Sequence, residues 1–391
     1  MRKRWKEEYM SRDDYNNDVS RIRQGSYFDV SLLIAIVFLV GFGLLMVYST
    51  SSYNAMRKYG DPAFYFKKQL VAFAIGFFFL FVTVLLDYRI LKNWYIFILM
   101  LSIVVMALVR TSIGLDVNGA KRWIKVGPIS IQPSEFVKIA VIIFLATVLS
   151  RSARSLSDLG SYAVLLAIIG GICLYVKQIS NNLSAAIIIA GISFFMIMVA
   201  APKKTTVLTA GVILAVSALM VLILSSSNSF RGDRFEVWKN PEKYSQKGGF
   251  QILQGLYAIG SGGFFGKGLG HSVQKQGFVP EPQNDMVFTI ICEELGLFGG
   301  VAVIVLFIFV LHRFYIIARN AEDLFGSLLV TGVMAHIAIQ VILNIAVATN
   351  TIPNTGVTLP FLSYGGTSVV FLMIEMGMVL SVSRRIRVFK R

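Results

Sequence analysis

The chain has 391 residues, 55% of them hydrophobic and only 15% charged, with a mean hydropathy of +0.69. Soluble domains carry about a quarter charged residues, so the composition sets aside a soluble fold and predicts an all-α polytopic membrane protein. A formal net charge of +16 then reads as basic loops facing anionic lipid and argues against nucleic acid as a partner.

Residues 1–28 are polar, and the first apolar run, Val30–Val47, is too long for a cleavable signal and has no small-residue cleavage site after it. It is expected to be an uncleaved first span. Ten apolar runs approach the length needed to cross about 30 Å of hydrocarbon. They are Val30–Tyr48, Leu70–Leu86, Trp94–Val109, Phe136–Leu149, Tyr162–Val176, Ala185–Ala201, Val207–Leu224, Met286–Leu311, Phe325–Val347 and Gly366–Val382. In lipid each must be a helix, because every backbone group needs an internal partner.

An even count puts both termini on one side. The tails and short loops of that side hold 20 Lys and Arg, against nine in the short loops opposite. The positive-inside bias therefore predicts cytoplasmic termini. Three polar segments fall outside: 111–134, 225–285 and 349–365. The second is too long for a bare connector and too apolar for disorder. It predicts a structured loop with an amphipathic helix around Phe250–Ile259. The expected organisation is a cytoplasmic tail over 1–28, a membrane domain over 29–383 and a basic cytoplasmic tail over 384–391.

Cys173 and Cys292 lie in apolar runs and His271, His312 and His336 are scattered, so no zinc set or disulfide framework is legible. A lone His336 in a helix reads as a packed polar residue. The run Gly260–Gly270 has Ser261 and Gly268 where a P-loop needs Gly and Ser or Thr; tight turns are the better account, with Lys267 left open as a phosphate contact.

Charged residues at membrane depth are expensive to keep. Glu135 and Lys138 open the fourth span three residues apart, hence on one helix face. They read either as a capping acid with a snorkelling lysine or as an ion pair facing a polar cavity. Glu293 and Glu294 are adjacent, about 100° apart on a helix, and read as structural before catalytic. Glu375 in the last span has no partner legible in sequence. Asp285 stands just before Met286, where the eighth span begins. An N-cap is the plain reading. Its company, with Glu281 upstream and Arg231, Arg234, Lys243, Lys247 and Lys275 in the same loop, suits an anionic lipid headgroup and a proton transfer.

Several motifs resemble the SEDS family of cell-wall polymerases (shape, elongation, division and sporulation; FtsW, RodA and SpoVE). They are Asn118–Ile124, Gln132–Lys138, Gly248–Gln251, Gly260–Gly263, Phe278–Gly299 and Leu359–Ser368, spread between about Asp29 and Arg385. The resemblance implies peptidoglycan glycosyltransfer with lipid II as substrate, alongside a class B penicillin-binding protein and other division or elongation proteins. It implies that Asp285 is the essential loop aspartate and that Glu135, Lys138, Arg122 and Pro360 are functionally important. Gln251 and Glu281 join the substrate-binding candidates through their motifs. One departure stands at Ile179–Ser184, where Asn replaces an acid of the family pattern. The polar N-terminus and Tyr48–Ser52 look more like the FtsW/SpoVE branch than RodA.

On this reading Asp285 is the general base. Arg231, Arg234, Lys121, Arg122 and Lys138 are candidates to neutralise the departing phosphates. A divalent cation, magnesium or manganese, is compatible with the same task; no metal ligand is assigned. A flippase for lipid II and a recruiting scaffold are the competing functions, and an elongation-type polymerase the competing branch.

Overall fold

The computed structural model describes residues 24–117, 120–126, 129–151, 159–200, 230–244 and 248–389. Among these residues, nine helices are long and apolar enough to cross a membrane. They are α1 (Val30–Tyr59), α2 (Phe64–Leu85), α3 (Leu91–Ala107), α4 (Pro133–Arg151), α5 (Leu159–Ser180) and α6 (Leu183–Ala200), followed, after two shorter helices, by α9 (Val287–Asn320), α10 (Leu324–Ala348) and α11 (Thr367–Arg384). The short helices are α7 (Phe230–Lys239) and α8 (Phe250–Ser261); α8 is the expected amphipathic helix. The tenth expected span, Val207–Leu224, lies outside the described residues.

Helices α4, α10 and α11 form the centre, with most of their length buried. The others present Leu, Ile, Val and Phe outward, for example Ile34, Phe38, Phe78, Phe97 and Ile308, as lipid contact demands. Glycines bring α2 and α11 together. A Cβ on Gly377 would lie 1.8 Å from Thr83 Oγ1, and one on Gly76 would lie 2.8 Å from Met373 Cγ. Small residues allow such close approach in membranes, where packing rather than water exclusion drives association.

Both ends of the bundle are closed by polar devices. Asp29 caps α1 by accepting from Leu32 N at 2.9 Å, and its buried carboxylate also takes Arg313 of α9 at 2.7 Å. Beside it, β1 (Gln24–Tyr27) pairs antiparallel with β5 (Ile386–Phe389), Gln24 opposite Phe389. These strands fall in segments expected to be tails. At the opposite end, β2 (Gly114–Val117), β3 (Ala120–Val126) and β4 (Ile129–Ile131) form a small sheet in the order β2–β3–β4. It sits where α4 and α11 begin: Thr367 Oγ1 donates to Ser130 O at 2.8 Å, and Ser368 to Gln132 Oε1 at 3.4 Å.

Candidate active site

The loop between α8 and α9 is built around a break in a helix. α9 runs on from Val287 but loses helical geometry at Gly296, with φ 69° and ψ −166°. Backbone groups freed near the break are taken by the loop. Lys267 N donates to Glu293 O and Gly268 N to Glu294 O, each at 2.9 Å; Leu297 N donates to Gly263 O at 2.9 Å and Phe298 N to Phe264 O at 3.1 Å. Such contact of backbone on backbone leaves no room for side chains. A Cβ on Gly262 would lie 1.9 Å from Cys292 O, and one on Gly266 2.1 Å from Glu294 O. The glycine-rich run therefore exists to dock on α9.

Glu293 and Glu294, both fully buried, lock the same loop. Glu293 accepts from Lys267 Nζ at 2.7 Å, from Val273 N at 3.1 Å and from the Ser272 hydroxyl. Glu294 accepts from Lys275 Nζ at 2.6 Å and from Ser49 Oγ of α1 at 2.7 Å. Both acids are structural, and Lys267 is committed to Glu293.

This lock positions Asp285. Met286, not Asp285, takes the N-cap position of α9, and no side chain caps that end. The half-buried Asp285 carboxylate instead turns to Gln251 of α8, whose Nε2 donates to Oδ1 at 3.2 Å, and to the side chain of Asn354. Its carbonyl accepts from Asn344 Nδ2 of α10 at 2.8 Å. Burial raises its pKa above the ordinary carboxylate value and the charge of Glu281 adds to this, while hydrogen bonds from Asn354 and Gln251 act against it. A half-buried carboxylate that keeps two donors and a raised pKa is equipped to accept a proton.

The other candidates separate. Glu281 holds a left-handed backbone, φ 45°, and its carboxylate accepts from Asn284 Nδ2 at 2.7 Å. Glu135 and Lys138 form the ion pair, 2.8 Å apart with side chains 9% and 1% exposed, which removes the snorkelling alternative. The Glu375 partner missing from sequence is His336, 2.9 Å away and equally buried. Lys121 is exposed and Arg122 half-buried, both on β3. Pro360 is buried in a turn whose Phe361 carbonyl oxygen lies against Gly43 of α1, where a Cβ would meet it at 2.1 Å. Arg231 and Arg234 fall on α7, whose described side chains begin at Phe235. In the departing segment, Asn182 caps α6 by accepting from Ala185 N at 3.1 Å.

Sequence reasoning missed Asn344 and Asn354. For Asn344 a signal existed: His336, Gln340 and Asn344 recur every fourth residue, a buried polar stripe down one face of the apolar α10. Asn354 is one polar loop residue among many and carried none. Among the described residues no group of three or more His, Cys, Asp or Glu is placed to hold a metal ion.

A family profile described as "Cell cycle protein", covering FtsW, RodA and SpoVE, matches residues 30–388. The chain belongs to the FtsW/RodA/SpoVE family. Relatives within the FtsW/RodA/SpoVE family include the stage V sporulation protein E of Bacillus subtilis (strain 168), 39% identical over 358 residues, covering 91% of this chain and 97% of that protein. The probable peptidoglycan glycosyltransferase FtsW of the same organism is 37% identical over 365 residues, covering 91% and 90%. That of Trichlorobacter lovleyi is 35% identical over 361 residues, covering 91% and 93%. The family fold is shared with a chain of a peptidoglycan synthase complex that coordinates polymerization and crosslinking, with TM-score 0.74, 24% identity and coverage of 91% and 98%. Thermus thermophilus RodA also has it, with TM-score 0.68, 24% identity and coverage of 92% and 97%.

Proposed function

We propose that this chain is a peptidoglycan glycosyltransferase that polymerises lipid II at the outer face of the cytoplasmic membrane in septal wall synthesis. Both termini lie in the cytoplasm on this reading, and a class B penicillin-binding protein crosslinks the product. The observation that carries the proposal is Asp285: a carboxylate with raised proton affinity, held by Gln251 and Asn354, beside a loop locked rigidly onto a broken helix. The name borne by the FtsW relatives supports the same reaction.

The chemistry is a displacement. A sugar hydroxyl of one lipid II attacks the anomeric carbon of another. As the new C–O bond forms, the hydroxyl proton passes to Asp285. The bond from sugar to pyrophosphate breaks, and its electron pair leaves on the pyrophosphate. One base with direct displacement inverts the anomeric carbon, by the logic that governs inverting glycosidases. Positive charge must stabilise the leaving phosphates. Lys138 is already matched by Glu135, so this role falls to Lys121 and Arg122 on β3 and to Arg231 and Arg234 on α7. Gln251 orients the base, and Glu281 raises its proton affinity.

The test is polymerisation of labelled lipid II by purified protein, with and without a cognate penicillin-binding protein whose transpeptidase serine is disabled. Glycan ladders are expected from the natural chain. In Asp285→Asn they should fall by about 10²–10⁴, the usual contribution of a general base. Ladders that persist in Asp285→Asn refute the assignment. Translocation of lipid II in liposomes, with no ladder under any condition, identifies a flippase instead.

A further inference from the structure

Next to the Asp285 loop is a cleft that shares only Glu281 with the groups assigned to glycosyl transfer. It has a volume of about 470 Å³ and is walled by Asn54, Arg57 and Lys58 of α1, Tyr65 of α2, and Glu281 and Gln283 of the loop. Its walls are fixed. Gly277 approaches Tyr53 so closely that a Cβ would stand 3.3 Å from the ring. Tyr65 packs on Tyr364 with ring centroids 5.0 Å apart, and Tyr364 N donates to Gln283 O at 2.8 Å. The left-handed backbone of Glu281 is one that side chains other than glycine seldom adopt.

Height above the membrane narrows the occupant. Arg57 lies nine residues beyond Tyr48, the last residue of the first apolar run. At about 1.5 Å per residue it stands roughly 13 Å farther along the helix. A lipid-linked phosphate sits at the headgroups, nearer the height of Tyr48. The cleft is at the height of whatever extends beyond the phosphates.

The charge pattern narrows it further. Arg57 and Lys58 make no ion pair within 4 Å among the described residues, while Glu281 faces the same space. A phosphate is repelled by Glu281. A neutral sugar leaves two cations without a counterpart. A ligand with carboxylates at one end and amide or ammonium N–H groups at the other answers every wall at once.

We infer that this cleft holds the acidic peptide stem carried on the lipid-linked sugar, with Arg57 and Lys58 on its carboxylates and Glu281 on its N–H groups. The inference rests on the proposed substrate but not on Asp285 acting as base. The stem then works as a handle: anchoring it on Glu281, four residues before Asp285, sets the sugar's orientation before reaction.

The test is binding, which needs no turnover. Full-length protein in lipid nanodiscs is titrated calorimetrically with a soluble disaccharide–peptide fragment lacking both lipid and phosphate. The comparison ligands are the same sugar without peptide, the fragment with its carboxylates amidated, and inorganic pyrophosphate. The fragment should bind the natural chain. Arg57→Gln with Lys58→Gln should weaken it about 10-fold, as expected for loss of charge-assisted hydrogen bonds, and amidated ligand should bind the natural chain just as weakly. Both substituted positions are exposed, so the double variant should melt with the natural chain. Equal binding of the peptide-free sugar, affinity unchanged in the double variant, or displacement of the fragment by pyrophosphate would each overturn the inference. A polymerase that survives Asp285→Asn overturns only the base.

Discussion

Lys275→Met is the most informative perturbation of the lock. Lys275 and Glu294 form an ion pair 2.6 Å long, with side chains 7% and 0% exposed. Ser49 bonds both, at 2.9 Å to Lys275 and 2.7 Å to Glu294. Removing the cation leaves a buried carboxylate with one hydroxyl for company. Breaking one side of such a pair costs about 3–5 kcal/mol, whereas replacing both partners by apolar groups is often neutral. An unfolding entropy of about 2.1 cal/mol/K per residue gives roughly 0.8 kcal/mol/K over a chain of this length. The single variant should therefore melt about 4–6 °C below the natural chain. Cys292, buried one turn from the break, reports it: with Cys173→Ser in the background it is the only thiol, and a thiol-reactive dye reads its exposure on heating. The double variant Lys275→Met with Glu294→Leu should recover most of the loss. If Lys275→Met melts within about 1 °C of the natural chain, the lock contributes nothing and the argument fails.

Asp285→Asn should raise stability while lowering turnover by the same factor of about 10²–10⁴. Its pKa is raised in the folded state, so the folded chain binds the proton more tightly than the unfolded one, and stability falls as pH rises through the folded pKa. Asn removes that penalty, so its advantage in melting temperature should grow from acid to neutral pH. Activity has the opposite dependence: its acid limb should lie above about 3.9, the ordinary carboxylate value, and Asn354→Ala should move it to still higher pH by deleting a donor to the anion. Gly377→Ala should destabilise by about 1–3 kcal/mol, because its Cβ would lie 1.8 Å from Thr83 Oγ1; Gly41→Ala, with nothing within 4 Å, is the matched control in the same melting assay. Trp238→Phe deletes the bond from Nε1 to Asn350 O, 3.0 Å long, worth about 1 kcal/mol, and should speed hydrogen exchange over 349–356, the segment that presents Asn354.

The spans were legible because the hydrocarbon imposes a length and an apolar composition on any segment that crosses it. Their ends were not, since caps such as Asp29 and Asp323 and the extension of α1 to Tyr59 depend on packing against other segments. Adjacent carboxylates in an apolar run looked like charges in lipid. Nothing local marks Gly296 as the point where α9 breaks, or the lysines of the preceding loop as partners of Glu293 and Glu294. The sheet over 114–131 was hidden because its strands are three to seven residues long and pair with each other rather than forming an apolar face. Asp285 stood out by its surroundings, but only the fold shows that it faces Gln251 and Asn354 instead of capping its own helix.

The packing of α2 on α11 has a consequence for the order of events during synthesis. α2 leaves the ribosome long before α11, so the small-residue face around Gly76 has no partner until every helix between them has been made. The pairing of β1 with β5 waits longer still. Closure of this bundle therefore waits for α11 and β5. A chain stopped before Thr367 has an early helix still facing lipid on the side meant for protein, which is a form that membrane quality control can tell from the finished one.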